Sequence, residues 1–297
     1  MTLKVVHIIN PVTVDDSSDL FVAQPITFET MRLARDFALD IVEVNLLTAQ
    51  YPEDRALVPE WFQPTPNLER SILDIGTFRK ERKLPLLVDI LDHLYTAAPD
   101  ADYLIYSNVD ISIMPHFYLA VKRFIDAGYN AFAINRRTIS KNFTGIEDIP
   151  LMFAEVGGEH PGHDCFVFRR SDYVCFNLGN VCVGMNWVGR VLLWNLICHS
   201  QKFNEFKNTH LTFHLGNDKK WKGDDYSDYT AYNKREAQKV LADLESQYGP
   251  FDETKPIYHY IRDAIADKGE ILGGGGGEGI GNRIKSALKL KLPKRSS

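Results

Sequence analysis

A short apolar run, Tyr103 to Tyr106, constrains the fold more than any other stretch of this 297-residue chain. Consecutive apolar and aromatic residues predict a strand that is covered on both faces, as at the centre of a parallel sheet. The run leads into Asn108-Val109-Asp110. Side chains two apart on an extended chain point to the same face, so Asn108 and Asp110 would present two oxygen ligands together. Such ligands suit Mg²⁺ or Mn²⁺. The alternative is an ordinary turn, which also favours Asn and Asp.

The N-terminal segment predicts the sheet into which this strand fits. Leu3 to Ile9 and Ile41 to Leu47 read as strands, with a helix from Thr27 to Phe37 between them. A strand, a helix and a second strand in this order indicate a parallel sheet. No glycine-rich dinucleotide or P-loop motif follows the first strand. The predicted class is therefore α/β: one Rossmann-like domain with a mostly parallel central sheet flanked by helices.

Composition is ordinary for a globular protein, with 44% hydrophobic and 25% charged residues. The chain has no apolar run of about 18 residues, so no membrane span is expected. Its N-terminus lacks the pattern of a signal peptide. The four cysteines lie in apolar stretches without metal-site spacing, which predicts buried free thiols in a reducing compartment. We therefore expect a cytoplasmic protein.

The charge is distributed unevenly along the chain. The net charge is −5, yet residues 281–297 carry six basic and no acidic side chains, so the remainder carries −11. An acidic body does not suggest nucleic acid as the main partner. Gly273 to Gly277 predict a flexible linker before the basic tail. The tail could contact an anionic membrane surface as a peripheral helix, and the alternative is a disordered basic segment.

Asp164 is a candidate for a catalytic carboxylate. It directly precedes a short apolar strand, Cys165 to Phe168, and could face a sugar or an attacking hydroxyl. The alternative is a structural cap at the strand entrance. His160, His163 and Asp164 together could instead bind a metal, although no companion His-x-His motif exists.

His214 is a candidate metal ligand in the predicted strand Thr209 to Gly216. A bare glycine and then lysines follow it. That order suits a metal ligand, an exposed backbone and a cation for phosphate. A lone histidine on a strand is more usually structural, which is the alternative here.

These motifs resemble GT-A-fold glycosyltransferases. The Asn-Val-Asp sequence ending at Asp110 resembles their D-x-D motif, with Asn in the first position. His214-Leu-Gly216, followed by Lys-Lys-Trp221, is similar to the H-x-x-G-x-x-K-P-W ending of glycogenin-like and galactosyltransferase-like members. This sequence has one residue fewer before the glycine and lacks the proline.

The resemblance implies a GT-A-like fold. It also implies transfer of a hexose or related sugar from a nucleotide-sugar donor to a glycan, lipid-linked or small-molecule acceptor, with Mn²⁺ or Mg²⁺ as cofactor. In an inverting enzyme the catalytic carboxylate would be a general base, and in a retaining one it would orient the sugar. The implied site residues are Asn108, Asp110 and His214 for the metal, Gly216, Lys219 and Lys220 for the diphosphate, Asp15 and Asp16 for the nucleoside, and Asp164 as the catalytic group.

We predict a catalytic domain over residues 1–265, followed by the glycine-rich linker and basic tail over 266–297. Within the domain, 1–139 would be the nucleotide-binding half, 140–225 the acceptor-side half and 226–265 C-terminal helices. Two other functions remain as alternatives. A sugar-phosphate nucleotidyltransferase would need a glycine-rich, arginine-containing loop after the first strand, which this chain lacks. A non-catalytic nucleotide- or carbohydrate-binding protein of the same fold would tolerate Asn in the first motif position.

Overall fold

A nine-stranded sheet organises the computed structural model, which describes residues 2–216 and 224–250. The strands are β1 Leu3–Ile9, β2 Val42–Thr48, β3 Gln63–Pro64, β4 Tyr103–Ser107, β5 Ser112–Ile113, β6 Ala131–Ile139, β7 Gly158–Arg169, β8 Phe203–Phe206 and β9 Thr212–Leu215. The α-helices are α1 Asp19–Ala38, α2 Leu87–Ala97, α3 Phe117–Asp126, α4 Ile149–Ala154, α5 Val188–His199 and α6 Ser227–Tyr248.

The strand order is β3-β2-β1-β4-β7-β6-β9-β5, and β8 pairs with the first half of β6. Strands β1 to β4 pair in parallel, as β6 does with β8 and β9. Strand β7 runs antiparallel between β4 and β6. The beginning of β7 therefore lies beside the carboxyl ends of both neighbours. The predicted α/β class, with a mostly parallel central sheet flanked by helices, is confirmed.

Strand β4 lies inside the hydrophobic core. All five of its residues are buried, so both of its faces are covered, as its apolar sequence predicts. Helix α2 buries Leu87, Ile90, Leu91 and Leu94, which have the spacing of one helix face.

Helix α1 begins at Asp19, within a segment predicted as a loop, rather than at Thr27. The Ser18 side chain accepts a hydrogen bond from the Leu20 amide at 3.3 Å and caps the helix. Pro25 lies inside the helix, where its missing N–H usually ends a helical prediction. The predicted helix begins at Thr27, after this proline, and therefore lacks the capped first turns.

Strand β7 also extends further than the predicted strand Cys165 to Phe168, because it pairs with β6 beyond its apolar centre. Helix α4 and strand β8 were not predicted. Both are short, and their sequences carry little periodicity.

Cys165 and Cys182 are buried free thiols, as predicted, and Cys198 is partly buried. The prediction of burial is wrong for Cys175, which is exposed at the end of a short 3₁₀ turn. No helix in the described part of the chain is long and apolar enough to cross a membrane. The basic tail, with its predicted membrane contact, lies outside the described residues.

His7 joins three elements inside the core. It is fully buried on β1, with Nε2 2.8 Å from the Ser107 hydroxyl of β4 and Nδ1 3.0 Å from the Tyr118 hydroxyl of α3. Burial lowers the pKa of His7 from 6.5 to about 3, so the ring is neutral at pH 7. The neutral ring donates one hydrogen bond and accepts the other.

Replacing His7 by Ala should lower the free energy of unfolding by about 3 kcal/mol at pH 7, since two buried hydroxyls lose their partner. The folded pKa of His7 is below the unfolded value, so its contribution decreases as pH falls below 6.5. Denaturant unfolding should therefore show the two proteins converging by up to about 1.4 kcal/mol per pH unit below pH 6.5. His116→Ala, at an exposed position, is the control. An equal loss in both variants would contradict the prediction.

Candidate functional site

Polar residues from four strands meet at the carboxyl edge of the sheet. Asn108 follows β4, and its backbone N–H donates to the Asp164 carbonyl of β7 at 3.2 Å. Arg136 lies on β6, and His214 lies on β9. Ends of parallel strands at one edge are where α/β proteins bind ligands. We call Asn108, Asp110, Arg136, Asp164 and His214 the edge cluster.

A β-bulge sets the position of Asp164. Across the β6–β7 ladder, Ile134 pairs with Cys165, and the next residue, Asn135, pairs with His163. Asp164 is therefore the extra residue on β7. A bulge re-aims side chains and is common beside active sites. The expectation that Asp164 lies at the entrance of a short strand is wrong, because β7 begins at Gly158 and contains it.

Asn108 and Asp110 lie in a turn, not on an extended strand. The Ile111 amide donates to the Asn108 carbonyl at 3.1 Å and closes this turn. The prediction that Asn108 and Asp110 point to the same face of an extended chain is therefore wrong. The turn nevertheless brings Asp110 to β9, with its Oδ2 3.2 Å from Nε2 of His214. Asn108 turns the other way: its Oδ1 accepts from the Tyr106 hydroxyl, and its Nδ2 donates to Asp164 Oδ1, both at 3.2 Å.

Asp110 and His214 stabilise each other's charged forms. Burial alone would raise the pKa of Asp110, but the His214 hydrogen bond and charge, with a smaller effect of Arg136, lower it. Burial alone would lower the pKa of His214, but the hydrogen bond and charge of Asp110 raise it. A buried ion pair of this kind needs further partners to be stable.

Gly216 orients the His214 ring. Nδ1 of His214 donates to the Gly216 carbonyl at 2.9 Å, which turns Nε2 toward Asp110. Gly216 has a φ of +66°, and a Cβ there would lie 3.0 Å from the Lys141 Cβ. Both the backbone angle and the limited space favour glycine. A backbone acceptor on the other ring nitrogen is how proteins orient a metal-binding histidine.

Arg136 is a member of the cluster that the sequence analysis did not include among the site residues. Its Nη1 lies 3.3 Å from Asp164 Oδ2, and its side chain is only 12% exposed. The feature of the sequence that could have indicated Arg136 is the pair Arg136-Arg137, shortly after the apolar residues of β6. Arg137, the second of the pair, donates instead to the backbone carbonyls of Val156 and Gly157.

The donor set fits a hard divalent cation in part. Oδ1 of Asp110 is buried and has no hydrogen-bond partner among the described residues, and the His214 imidazole is adjacent. Carboxylate and imidazole are ligands of Mn²⁺. Both amide atoms of Asn108 are engaged elsewhere, so Asn108 does not complete this set as placed. Within the described ranges, no group of three or more His, Cys, Asp or Glu residues could hold a metal.

The remaining predicted site residues are placed as follows. Asp15 and Asp16 are exposed in the loop between β1 and α1, beyond the carboxyl end of β1. The Ser17 amide donates to Asp15 Oδ1 at 3.0 Å, so Asp15 helps to form the turn before α1. Lys219 and Lys220 lie outside the described residues.

His163 belongs to a separate ion pair. Its Nε2 is 2.7 Å from Glu205 Oε1 on β8, and Lys207 is 3.0 Å from the other carboxylate oxygen. Burial alone would raise the pKa of Glu205, but His163 and Lys207 lower it to about 2. His160 points elsewhere, with Nε2 3.5 Å from Arg136 Nη2. The alternative that His160, His163 and Asp164 share a metal is therefore disfavoured.

No family model matches the chain, and no curated protein matches its sequence. Among solved structures, it is similar to residues 1–349 of S. aureus TarS in complex with UDP-GlcNAc, with 6% identity, a TM-score of 0.48, and coverage of 87% of this chain and 78% of the other. M. tuberculosis glucosyl-3-phosphoglycerate synthase aligns with 14% identity, a TM-score of 0.42, and coverage of 84% and 82%.

A third similar structure is the 4-diphosphocytidyl-2C-methyl-D-erythritol synthase of Anaerococcus prevotii, with 10% identity, a TM-score of 0.39, and coverage of 77% and 98%. All three TM-scores are below 0.5, so these similarities carry no argument about the function of this chain.

Replacing Glu205 by Gln should lower the free energy of unfolding by about 2 kcal/mol at pH 7, because a buried charged hydrogen bond is lost. The folded pKa of Glu205 lies below 4.5, so its contribution is complete above pH 4.5 and is lost as pH falls toward 2. Urea unfolding at pH 7 and at pH 3 measures the difference. Glu147→Gln, at an exposed position, is the matched control. A difference that grows on acidification would refute this assignment.

Proposed function

We propose that this protein is a GT-A-type glycosyltransferase that transfers a sugar from a nucleotide-sugar donor to an acceptor. The observation that carries the proposal is the pairing of Asp110 with His214 at the sheet edge, next to Asp164 and Arg136. Asp110 and His214 are the residues, in the chain order, that belong to the two motifs resembling those of GT-A enzymes. The loop after β1, residues 10–18, contains neither glycine nor arginine, which disfavours the nucleotidyltransferase alternative.

In this proposal Asp110 and His214 hold Mn²⁺ or Mg²⁺. The cation supplies Lewis-acid stabilisation of the departing diphosphate. Asp110 contributes the anionic oxygen Oδ1, which has no partner among the described residues. His214 contributes Nε2, since its Nδ1 is occupied by the Gly216 carbonyl. Asn108 acts differently from a first-position aspartate, because its amide holds the Asp164 carboxylate.

Asp164 faces the acceptor in this proposal. The bond between the sugar C1 and the diphosphate oxygen breaks, and a bond from C1 to the acceptor oxygen forms. In an inverting reaction the Asp164 carboxylate takes the acceptor hydroxyl proton as that bond forms. In a retaining reaction it orients the sugar. Gly216, Lys219 and Lys220 are proposed to contact the diphosphate, and Asp15 and Asp16 the nucleoside.

The primary test is a screen of nucleotide sugars with purified full-length protein, with and without Mn²⁺. Many transferases slowly transfer sugar to water, so release of free nucleoside diphosphate identifies the donor. We expect release from at least one nucleotide sugar, and its loss when the metal is removed with EDTA. Metal-independent release would remove the cofactor assignment. Failure of every nucleotide sugar and of UDP and GDP to bind would remove the proposed function.

Replacing Asp110 by Asn should abolish metal-dependent turnover while the fold is retained, because the substitution removes the only anionic ligand proposed for the cation. Nucleoside diphosphate release and circular dichroism measure the two quantities. The control is Asp100→Asn, which changes the same charge at an exposed position. Near-normal activity of the Asp110 variant, with an unchanged Mn²⁺ requirement, would refute the assignment.

Replacing His214 by Ala should weaken Mn²⁺-dependent binding of UDP or GDP by about 10- to 100-fold. Isothermal titration with and without Mn²⁺ measures this change. His210→Ala, which removes a histidine from the segment before β9, should leave the affinity unchanged. A large loss of stability with unchanged nucleotide affinity would instead assign His214 a structural role.

A further inference from the structure

Buried polar atoms without hydrogen-bond partners lie on two consecutive residues of β6, the strand that pairs with β7 and its Asp164. Among the described residues, no hydrogen bond reaches Nδ2 or Oδ1 of Asn135 or Nε of Arg136. Asn135 is 3% exposed. Each buried polar group without a partner costs about 1–3 kcal/mol. Their concentration at one place in the sheet therefore points to a ligand that satisfies them together.

The guanidinium of Arg136 has unused binding capacity. Its five N–H groups form a planar fork that can bind two anionic groups. Its Nη1 meets the Asp164 carboxylate at 3.3 Å, and its Nη2 lies 3.5 Å from the His160 ring. One carboxylate and one long ring contact leave donors available to a second oxyanion.

The charges at this edge form two hydrogen-bond-distance pairs, although the charge of Arg136 also acts on Asp110 and His214. Asp110 is paired with His214, and Asp164 is paired with Arg136. Arg136 is therefore bound to the carboxylate proposed to face the acceptor, on the strands β6 and β7. Because the donor diphosphate is assigned to the cation held by Asp110 and His214, a second anion on Arg136 belongs to the acceptor.

Building on the proposed function, we infer that Arg136 and Asn135 recognise the acceptor, and that this acceptor carries an anionic oxygen group next to a hydroxyl. Arg136 binds the phosphate or carboxylate. The Asn135 amide offers one donor and one acceptor, which match a hydroxyl.

The test is calorimetric titration of the full-length protein, alone and saturated with UDP or GDP and Mn²⁺. The probes are glycerol 3-phosphate, glycerate and neutral glycerol. The wild type should bind at least one anionic probe more tightly than glycerol. Arg136→Gln should weaken anionic probe binding about tenfold or more, as expected for the loss of a charged hydrogen bond, and change nucleotide affinity by less than about threefold. Arg123→Gln, at an exposed position on α3, is the matched control.

A second variant separates the two contacts. Asn135→Ala should weaken glycerol 3-phosphate binding and leave the binding of inorganic phosphate unchanged. Circular dichroism confirms that the variants fold. If the anionic probes bind no better than glycerol, or if Arg136→Gln and Arg123→Gln behave alike, the inference is overturned. A loss confined to UDP or GDP would assign Arg136 to the donor and also overturn it. Failure of UDP and GDP to bind the wild type would contradict the proposed function. In that case, titration of the anionic probes into the protein without nucleotide still decides whether Arg136 binds an anion.

Discussion

Burial of β4 on both faces and both edges underlies the whole site. The strand pairs with β1 on one side and β7 on the other, so its backbone groups are satisfied and its end is held in place. The His7 hydrogen bond to Ser107 attaches the last residue of β4 to the neighbouring strand. Because the apolar strand cannot shift, the turn that follows presents Asp110 at one defined position.

The cluster at this edge balances its charges in a buried environment. Removing a charge from water is costly unless it is paired. Asp110 with His214 and Asp164 with Arg136 are two such pairs, each drawn from different strands. The His214 hydrogen bond and charge lower the pKa of Asp110, so this carboxylate is available as an anion at the sheet edge, as metal binding would need. The same pairing leaves Oδ1 of Asp110 and Nε of Arg136 without hydrogen-bond partners among the described residues. These atoms are available to a ligand.

The reversal of β7 has a specific consequence for the site. A parallel strand in its place would begin at the opposite edge of the sheet, far from β4's carboxyl end. The antiparallel direction instead brings Asp164, midway along β7, beside Asn108. Arg136 lies next to it because β6 pairs with the other side of β7. One change of strand direction thus gathers two of the five members of the edge cluster.

Local patterns determined much of this description. The apolar run before Asn108 and the strands around the first helix were both read from the residues, since burial on one or both faces imposes its own periodicity. The nomination of Asp110, His214 and Asp164 also came from residue types at strand ends. The predicted start of helix α1 was wrong because the capped helix continues through Pro25, where a proline usually breaks a helix. Helix α4 and strand β8 were missed because each has too few residues to show a pattern.

Only the tertiary structure decided how the candidates meet. The bulge at Asp164 and the pairing of Asp110 with His214 depend on contacts between residues about 30 to 100 positions apart, and no local pattern specifies such contacts. For the same reason Arg136 was not named as a site residue: at the end of a strand, an arginine is an ordinary surface residue until a carboxylate from another strand lies beside it. Residue types and their order therefore nominated candidate site residues and predicted the sheet class, whereas long-range pairing determined which side chains lie together.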